Sequence, residues 1–480
     1  MNKDKDNRVL SVVLPDGKIL ETIYDHEKHE TNLVVSSDEG IKIFNSYTDP
    51  ATGAEYLPFS ENHGLVKSRF VRLPSGVGNY QDIRTTYLEI KDFISEFVEL
   101  PESFKVISSI YVLLSWVYDQ FETLPYIRVI GDYGTGKSHF MKTMTYLCYK
   151  AMLCSTVSNA TIYRTLNETR GTLALDEANF KSSEMYSEII KVLNSGHVSG
   201  TPVAKMKPIG KTGDYETDVF DVFGPKIIAS RERFSDEALE SRCLTQVLLP
   251  KDDLKVSSHF PKDFERRATS VRNDLLAFRL NALPYITVDE ATLAGLKFPR
   301  LRQGALSITS LAFMIGSDVH GEVIKFLSDY ERELQLVRKS DTKADVINCI
   351  LELVGFDQGL VAGGDKSKDR GKIYLKQISD EFDRRFYEDY SEAKDKYVES
   401  GDDVIVYHQK TISPKKIGRH VRNLGIKTDR DGGGFYIPIL QELRTIEAIA
   451  RRFGFEMPKV QPKLPIDETV SEINPDDIKF

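Results

Sequence analysis

The sequence is poor in what scaffolds secreted or membrane proteins. It holds four cysteines in 480 residues (Cys148, Cys154, Cys243 and Cys349), too few for a disulfide framework, and none falls in a CxxC or Cys/His cluster of metal-ligand spacing. They read as buried, reduced thiols of a cytoplasmic protein. The longest apolar stretch, Val106–Tyr118, is 13 residues long and interrupted by Ser108, Ser109 and Ser115, too short and too polar to span a bilayer. The first residues, MNKDKDNR, lack the apolar run of a secretory signal. No internal repeat or low-complexity block is visible.

What is present suits a large globular chain. Hydrophobic residues make up 41% and charged residues 28%, which excludes a disordered or collagen-like polymer. The formal net charge is -8, so the molecule as a whole is no basic nucleic-acid coat, and any such binding must come from local patches. The length suggests roughly three domains.

Residues 1–98 carry short β-type runs (Val9–Leu14, Leu33–Ser36, Ile41–Phe44, Arg69–Leu73) between turns such as Pro15-Asp16-Gly17, and read as a small β-rich N-terminal domain closed by a helix near Tyr87–Leu100. A helix from Pro101 to about Thr123 follows. Then strands and helices alternate: Tyr126–Ile130, Ser138–Ala151, Leu153–Val157, Ala160–Leu166, Thr172–Leu175, Ser183–Leu193, then strands Lys226–Ala229 and Cys243–Leu249. Short apolar strands alternating with helices predict an α/β core, a parallel sheet covered on both faces, over 99–261. Residues 262–340 read as helical, 341–456 as a linker near Val361–Lys368 and a helical and β segment, and 457–480 as a tail with four prolines.

Gly131-Asp132-Tyr133-Gly134-Thr135-Gly136-Lys137-Ser138 matches G-x-x-x-x-G-K-[ST], between a predicted strand and helix. Gly131, Gly134 and Gly136 let the backbone around Thr135 fold into an anion nest. Lys137 reaches the β- and γ-phosphates, the Ser138 hydroxyl ligates Mg²⁺, and the helix N-terminus adds its dipole. The expected cofactors are ATP and Mg²⁺. Farther on, Thr172-Leu173-Ala174-Leu175-Asp176-Glu177 is an apolar strand ending in two acids: Asp176 would hold the metal and Glu177 polarise the attacking water. Lys226-Ile227-Ile228-Ala229-Ser230 is the next buried strand, and Ser230 at its end is a candidate contact for the γ-phosphate. Arg231, Arg233 and Arg242 follow; Arg242 is the candidate arginine finger, supplied across a subunit interface.

These blocks, GDYGTGKS, LALDEAN, KIIAS and LESRCL, resemble in order and spacing the AAA+ P-loop ATPases. LESRCL is similar to the arginine-finger region of the minichromosome maintenance helicases. The resemblance extends to helicase-like ATPases of mobile elements, sometimes linked to primases, over roughly residues 100–320. It implies an AAA+ parallel sheet with a helical lid over 262–340, and a homo-oligomeric ring, a hexamer, with ATP between subunits. It also implies a sensor 2 arginine in the lid, Arg302 in Phe298-Pro299-Arg300-Leu301-Arg302-Gln303, with Arg300 close behind. At the sensor 1 position the minichromosome maintenance proteins carry Asn where this chain has Ser230.

Two segments are candidate DNA contacts. Between Glu177 and Ser230, Val203–Met206 and Thr217–Phe223 alternate like the strands of a hairpin bearing Lys205, Lys207 and Lys211; in ring helicases a hairpin here grips phosphate. Residues 410–430 hold seven basic residues against the single acid Asp429, a net +6. There the helix Lys415–Leu424, carrying Lys415, Lys416, Arg419 and Arg422, precedes a strand Ile426–Thr428, a turn Arg430–Gly434 and a strand Phe435–Ile437. This succession resembles a C-terminal winged helix. The expected function is an ATP-hydrolysing DNA translocase or helicase of a mobile-element replication type, with DNA and replication proteins such as a primase or polymerase as partners and no membrane. Two alternatives stay open: an AAA+ initiator, loader or DNA-bound scaffold switched by ATP, and an ATPase that remodels proteins.

Overall fold

The computed structural model describes residues 7–154, 159–176, 183–209, 214–234, 236–249, 256–257, 259–297, 299–339, 342–360, 371–385 and 412–455. Glu177, Lys211, the linker near 361–368 and the tail lie outside them. The contacts divide the chain at Glu331/Arg332.

In the first unit, strands β1 (Arg8–Val9), β2 (Ser11–Val13), β3 (Ile19–Asp25), β4 (Glu30–Ser37), β5 (Gly40–Phe44), β6 (Tyr47–Thr48) and β7 (Glu55–Pro58) form an antiparallel sheet β2-β3-β4-β5 beside a small sheet β1-β7-β6. Helices α1 (Gly64–Lys67), α2 (Ile83–Phe97) and α3 (Glu102–Trp116) follow. Asp82 caps α2 by accepting from the Thr85 N–H at 2.7 Å, so the helix begins four residues before the expected Tyr87. From Phe104 to Trp116 every residue of α3 but Lys105 is buried, and α3 packs against α2.

The central sheet is wholly parallel, in the order β14-β8-β13-β10-β9. Its first strand, β8 (Tyr126–Ile130), leads into α4 (Lys137–Leu147) and then to edge strand β9 (Met152–Cys154). Helix α5 (Asn159–Thr169) returns the chain to β10 (Leu173–Asp176), and α6 (Ser183–Ser195) leads to a hairpin of β11 (Val203–Ile209) and β12 (Asp214–Phe220). Next, β13 (Lys226–Ser230) inserts between β8 and β10, and α7 (Glu237–Glu240) precedes the opposite edge, β14 (Cys243–Val247). Helix α4 was expected to run to Ala151. It stops at Leu147 because the Tyr149 N–H donates to Ser115 Oγ at 3.0 Å instead of continuing the helix.

Helices α8 (Phe264–Ala282), α9 (Pro299–Ile315) and the start of α10 (Ser317–Lys339) complete this unit. The expected breaks at 98 and 261 are not breaks in packing. Leu10, Tyr24, Val66 and Val71 share one buried cluster with Tyr126, Met152, Leu173 and Ile228, and α8 packs on α2 and α4. A buried ionic knot crosses the same boundary: Glu21 of β3 accepts from Arg279 Nε at 2.7 Å and from the Tyr149 hydroxyl at 2.6 Å.

The second unit contains α11 (Thr342–Leu360), β15 (Lys372–Tyr374), α12 (375–385), α13 (Pro414–Asn423), β16 (Asp429–Asp431), β17 (Gly434–Pro438) and α14 (Ile439–Arg452). The strands form an antiparallel sheet β15-β17-β16. Ile347, Ile350, Ile373, Ile378, Ile417, Val421, Ile437 and Ile446 form its core. Strand β16 starts at Asp429, later than the expected Ile426, because the Ile426 N–H bonds back to the Val421 carbonyl at 3.2 Å and its side chain is buried. Arg430 and Asp431 are therefore paired strand residues and the turn shrinks to Gly432-Gly433.

Candidate functional site

The phosphate loop sits where a parallel sheet places ligands, beyond the carboxyl end of β8. Its glycines are set by space and by backbone. A Cβ on Gly131 would lie 2.5 Å from Thr135 Oγ1 and 2.7 Å from the Leu248 carbonyl; Gly134 (φ +77°) and Gly136 (φ +91°) are left-handed. Gly136 is the N-cap of α4, so the helix begins at Lys137 with its N-terminal N–H groups at the loop, the arrangement that favours an anion. Thr135 Oγ1 donates to the Asp132 carbonyl at 2.9 Å and closes the turn.

A cavity of about 520 Å³ opens over this loop, lined by Asp132–His139, Asp176 and Arg231 on its polar side. Lys137 Nζ donates to the Asp132 carbonyl at 2.6 Å and to the Gly131 carbonyl. Burial lowers the Lys137 pKa, Asp176 opposes that shift, and Arg231 adds to it. Ser138 and Asp176 thus share one cavity with the anion nest. A hydroxyl, a carboxylate and incoming phosphate oxygens are the hard oxygen set that Mg²⁺ takes, so these residues fit the metal and the nucleotide triphosphate. Among the described residues no group of three or more His, Cys, Asp or Glu forms a self-sufficient metal cluster. The rest of the lining is mostly apolar, with Phe97, Val98, Pro101, Val247, Leu248, Leu249 and Val256 beside Glu99, Gln246 and Ser257, and suits a planar base.

The other expected residues are placed differently. Ser230 is buried, its hydroxyl donates to the Glu232 carbonyl at 2.9 Å, and it does not line the cavity; its carbonyl accepts from the Gly131 N–H at 3.2 Å. Arg242 stands just before β14, whose first residue, Cys243, pairs with Tyr126 at the amino end of β8. That is five residues of strand, about 16 Å, from the phosphate loop, so Arg242 cannot serve the loop of its own chain. It donates to Asn194 Oδ1 and lines a second cavity of about 220 Å³ with His197, Leu301, Gln303 and Gly304. Arg302 donates to the carbonyls of Leu296 (3.0 Å) and Leu293 (3.3 Å) and does not line the cavity over the loop.

On the hairpin, Lys205 lies opposite Asp218 and Lys207 opposite Glu216. Lys205 Nζ is also 2.7 Å from Glu188, so it is not a free phosphate ligand. The other hairpin face exposes Met206, Tyr215 and Val219. In the second unit, Lys415, Lys416, Arg419 and Arg422 are all exposed on α13, while Ile417, Gly418 and Val421 face inward. Ser413 caps the helix by accepting from the Lys416 N–H. Gly418 permits its close approach to α12, since a Cβ there would lie 2.8 Å from Leu375 Cδ1.

Two residues not expected at the site, Tyr133 within the loop motif and Arg231, set aside in favour of Arg242, also line the main cavity. The sequence signals for them are the place of Tyr133 in the loop motif and the adjacency of Arg231 to Ser230.

No protein-family model and no curated protein sequence matches the chain. Among solved structures, it is similar to SCCmec type IV Cch, an active helicase, at 12% identity and TM-score 0.39, over 91% of this chain and 80% of that one. It is similar to the C-terminal region of NrS-1 in its A form apo structure at 12% identity and TM-score 0.31, over 87% and 96%. It is also similar to the JCV helicase at 13% identity and TM-score 0.25, over 52% and 61%.

Proposed function

We propose that the chain is an ATP-hydrolysing DNA translocase or helicase of the AAA+ kind, acting as a ring of copies in the replication of a mobile element. The observation that carries this is the division of the site. Lys137, Ser138 and Asp176 line one cavity at the carboxyl edge of the sheet, while Arg242 sits beside β14 at the amino edge. A finger that cannot reach its own loop acts on a neighbouring copy. In this reading the loop N–H groups and Lys137 hold the phosphates, Ser138 and Asp176 hold Mg²⁺, Glu177 orients the water, and Arg242 of the adjacent copy neutralises charge developing on the γ-phosphate. The bound metal supplies Lewis-acid polarisation of the phosphates. Ser230 fixes the register of the loop through its carbonyl, and Arg302 is proposed to contact the nucleotide as the arginine of the helical lid.

The DNA contact is proposed on α13. Four exposed cations on one capped helix, followed by the β16–β17 turn with Arg430 and Phe435 exposed, make a winged-helix surface that meets phosphates with charge and a groove with the helix. One observation favours the second reading, an ATP-switched initiator, loader or scaffold. The hairpin lysines face acids, so a motor grip through Lys205 and Lys207 lacks net charge.

The test is steady-state ATPase with and without single-stranded and duplex DNA, with Lys137→Ala as the blank, followed by strand separation on a forked duplex. Stimulation by DNA with unwinding supports the motor. DNA binding without stimulation or unwinding supports the switch. Neither nucleotide turnover nor DNA binding would sink both.

A further inference from the structure

Tyr133 is a large aromatic placed where little supports it. It occupies the phosphate loop between Gly131 and Gly134, and the residue is 80% exposed. The Arg231 guanidinium carbon lies 4.1 Å from the ring centre, and its Nη2 donates to the Tyr133 hydroxyl. Arg231 follows Ser230 at the carboxyl end of β13, the strand that lies between β8 with its loop and β10 with Asp176. Sheet order therefore puts this arginine between the phosphate nest and the metal carboxylate, and it lines their cavity. Among the described residues no carboxylate forms an ion pair with it.

The contact with Tyr133 is weak enough to break. It consists of an exposed cation–π pair, worth only a few-fold in an equilibrium constant, and one solvent-exposed hydrogen bond to the phenol that water can replace, whereas a guanidinium fork on a phosphate makes two parallel charge-assisted hydrogen bonds. In a loop of this kind Lys137 and the helix N-terminus hold the phosphates, and the third phosphate extends toward the metal carboxylate. That is the space Arg231 borders.

We infer that Arg231 is a γ-phosphate-binding residue for the nucleotide of its own chain, that Tyr133 is the positioning residue on which it rests, and that the pair lets the site distinguish a nucleoside triphosphate from a diphosphate. This rests on the nucleotide reading above and adds a contact within the chain to the finger proposed between chains. Exchange of the guanidinium from a ring to a phosphate needs only a change of side-chain rotamer, because the strand end that carries Arg231 is fixed to the loop by the Ser230–Gly131 hydrogen bond.

The experiment is calorimetric titration of the full chain with Mg²⁺-ADP and with a Mg²⁺-bound non-hydrolysable ATP analogue. It compares wild type, Arg231→Ala, Arg231→Lys, Tyr133→Ala and Lys137→Ala. Arg231→Ala should weaken the triphosphate analogue about tenfold and leave ADP unchanged. Arg231→Lys, a point charge without the fork, should recover part of the loss. Tyr133→Ala, which removes the resting place, should tighten the triphosphate a few-fold and again spare ADP. Equal losses for both nucleotides in Arg231→Ala, or no loss for either, would overturn the inference while leaving the nucleotide site intact. Weaker triphosphate binding in Tyr133→Ala would overturn the resting role. If wild type bound neither nucleotide and matched Lys137→Ala, the nucleotide reading itself would fall, and this inference with it.

Discussion

Lys205 and Glu188 are locked together: the ammonium stands 2.7 Å from the carboxylate and 3.8 Å from the centre of the Tyr163 ring. Hydrogen bonds from Lys191 first, then Lys205 and Tyr163, hold the Glu188 carboxyl pKa down to about 2. A lysine chosen from sequence as a grip on DNA is therefore a tie between the hairpin and α6. Four exposed cations stand together on α13.

That contrast predicts separate phenotypes. Replacing Lys415, Lys416 and Arg419 together with Ala should weaken DNA binding and lower the slope of log K against log salt by about 2–3, since each phosphate contact contributes about 0.7–0.9. Lys205→Ala should leave the slope unchanged and loosen the hairpin. Fluorescence anisotropy across a salt series reads both. An unchanged slope in the triple variant would remove α13 as the DNA surface.

Arg242→Ala should abolish ATP hydrolysis while leaving nucleotide affinity nearly intact, because the residue stands at the amino end of the strands, the length of β8 away from its own loop. Mixing it with Glu177→Gln protein should restore part of the activity, since one variant brings an intact loop and the other an intact finger. Absence of rescue at every mixing ratio would rule out action between copies.

Burial makes Lys226 a source of pH dependence. Its fully buried Nζ donates to the Gly224 and Val222 carbonyls at 2.7 and 3.0 Å. Desolvation brings its pKa down from 10.5 to about 7, with Asp221 opposing. Between those values the unfolded chain holds a proton the folded chain has released, so stability rises with pH, by at most about 1.4 kcal/mol per pH unit from this group. Below pH 7 both states are protonated and the slope vanishes. Urea midpoints taken from about pH 6.5 to about pH 8.5 should rise in wild type and rise less in Lys226→Met; parallel curves would refute the assignment.

Glu21 carries the junction between the N-terminal sheet and the core. Its carboxylate meets Arg279 at 2.7 Å, the Tyr149 hydroxyl at 2.6 Å and Lys150 at 3.6 Å, and Arg279 also bonds Asp119. Burial pulls Lys150 down to about 8 although Glu21 supports its charge. Glu21→Ala should cost about 3–5 kcal/mol, the usual result of stripping one partner from a buried ionic group. Glu21→Gln, which keeps the shape and an acceptor, should cost less. Equilibrium urea unfolding decides, and a loss below about 1 kcal/mol would mean water replaces the carboxylate.

What the sequence determined by itself is local. The glycine spacing and the Lys-Ser pair specify the loop because the left-handed turns at Gly134 and Gly136 and the missing Cβ at Gly131 are demands each residue meets alone. The same is true of the apolar strand ending in Asp176 and of the capped helix α13. Only the tertiary structure decided the rest. It placed Arg231 on Tyr133 across the sheet order, put Arg242 at the opposite edge, matched Lys205 and Lys207 with acids, and buried Glu21 against an arginine 258 positions away. Hydrophobic period and turn chemistry are written within a few residues, but the partner of a charge is chosen by which strands lie side by side. No run of neighbouring residues encodes that order.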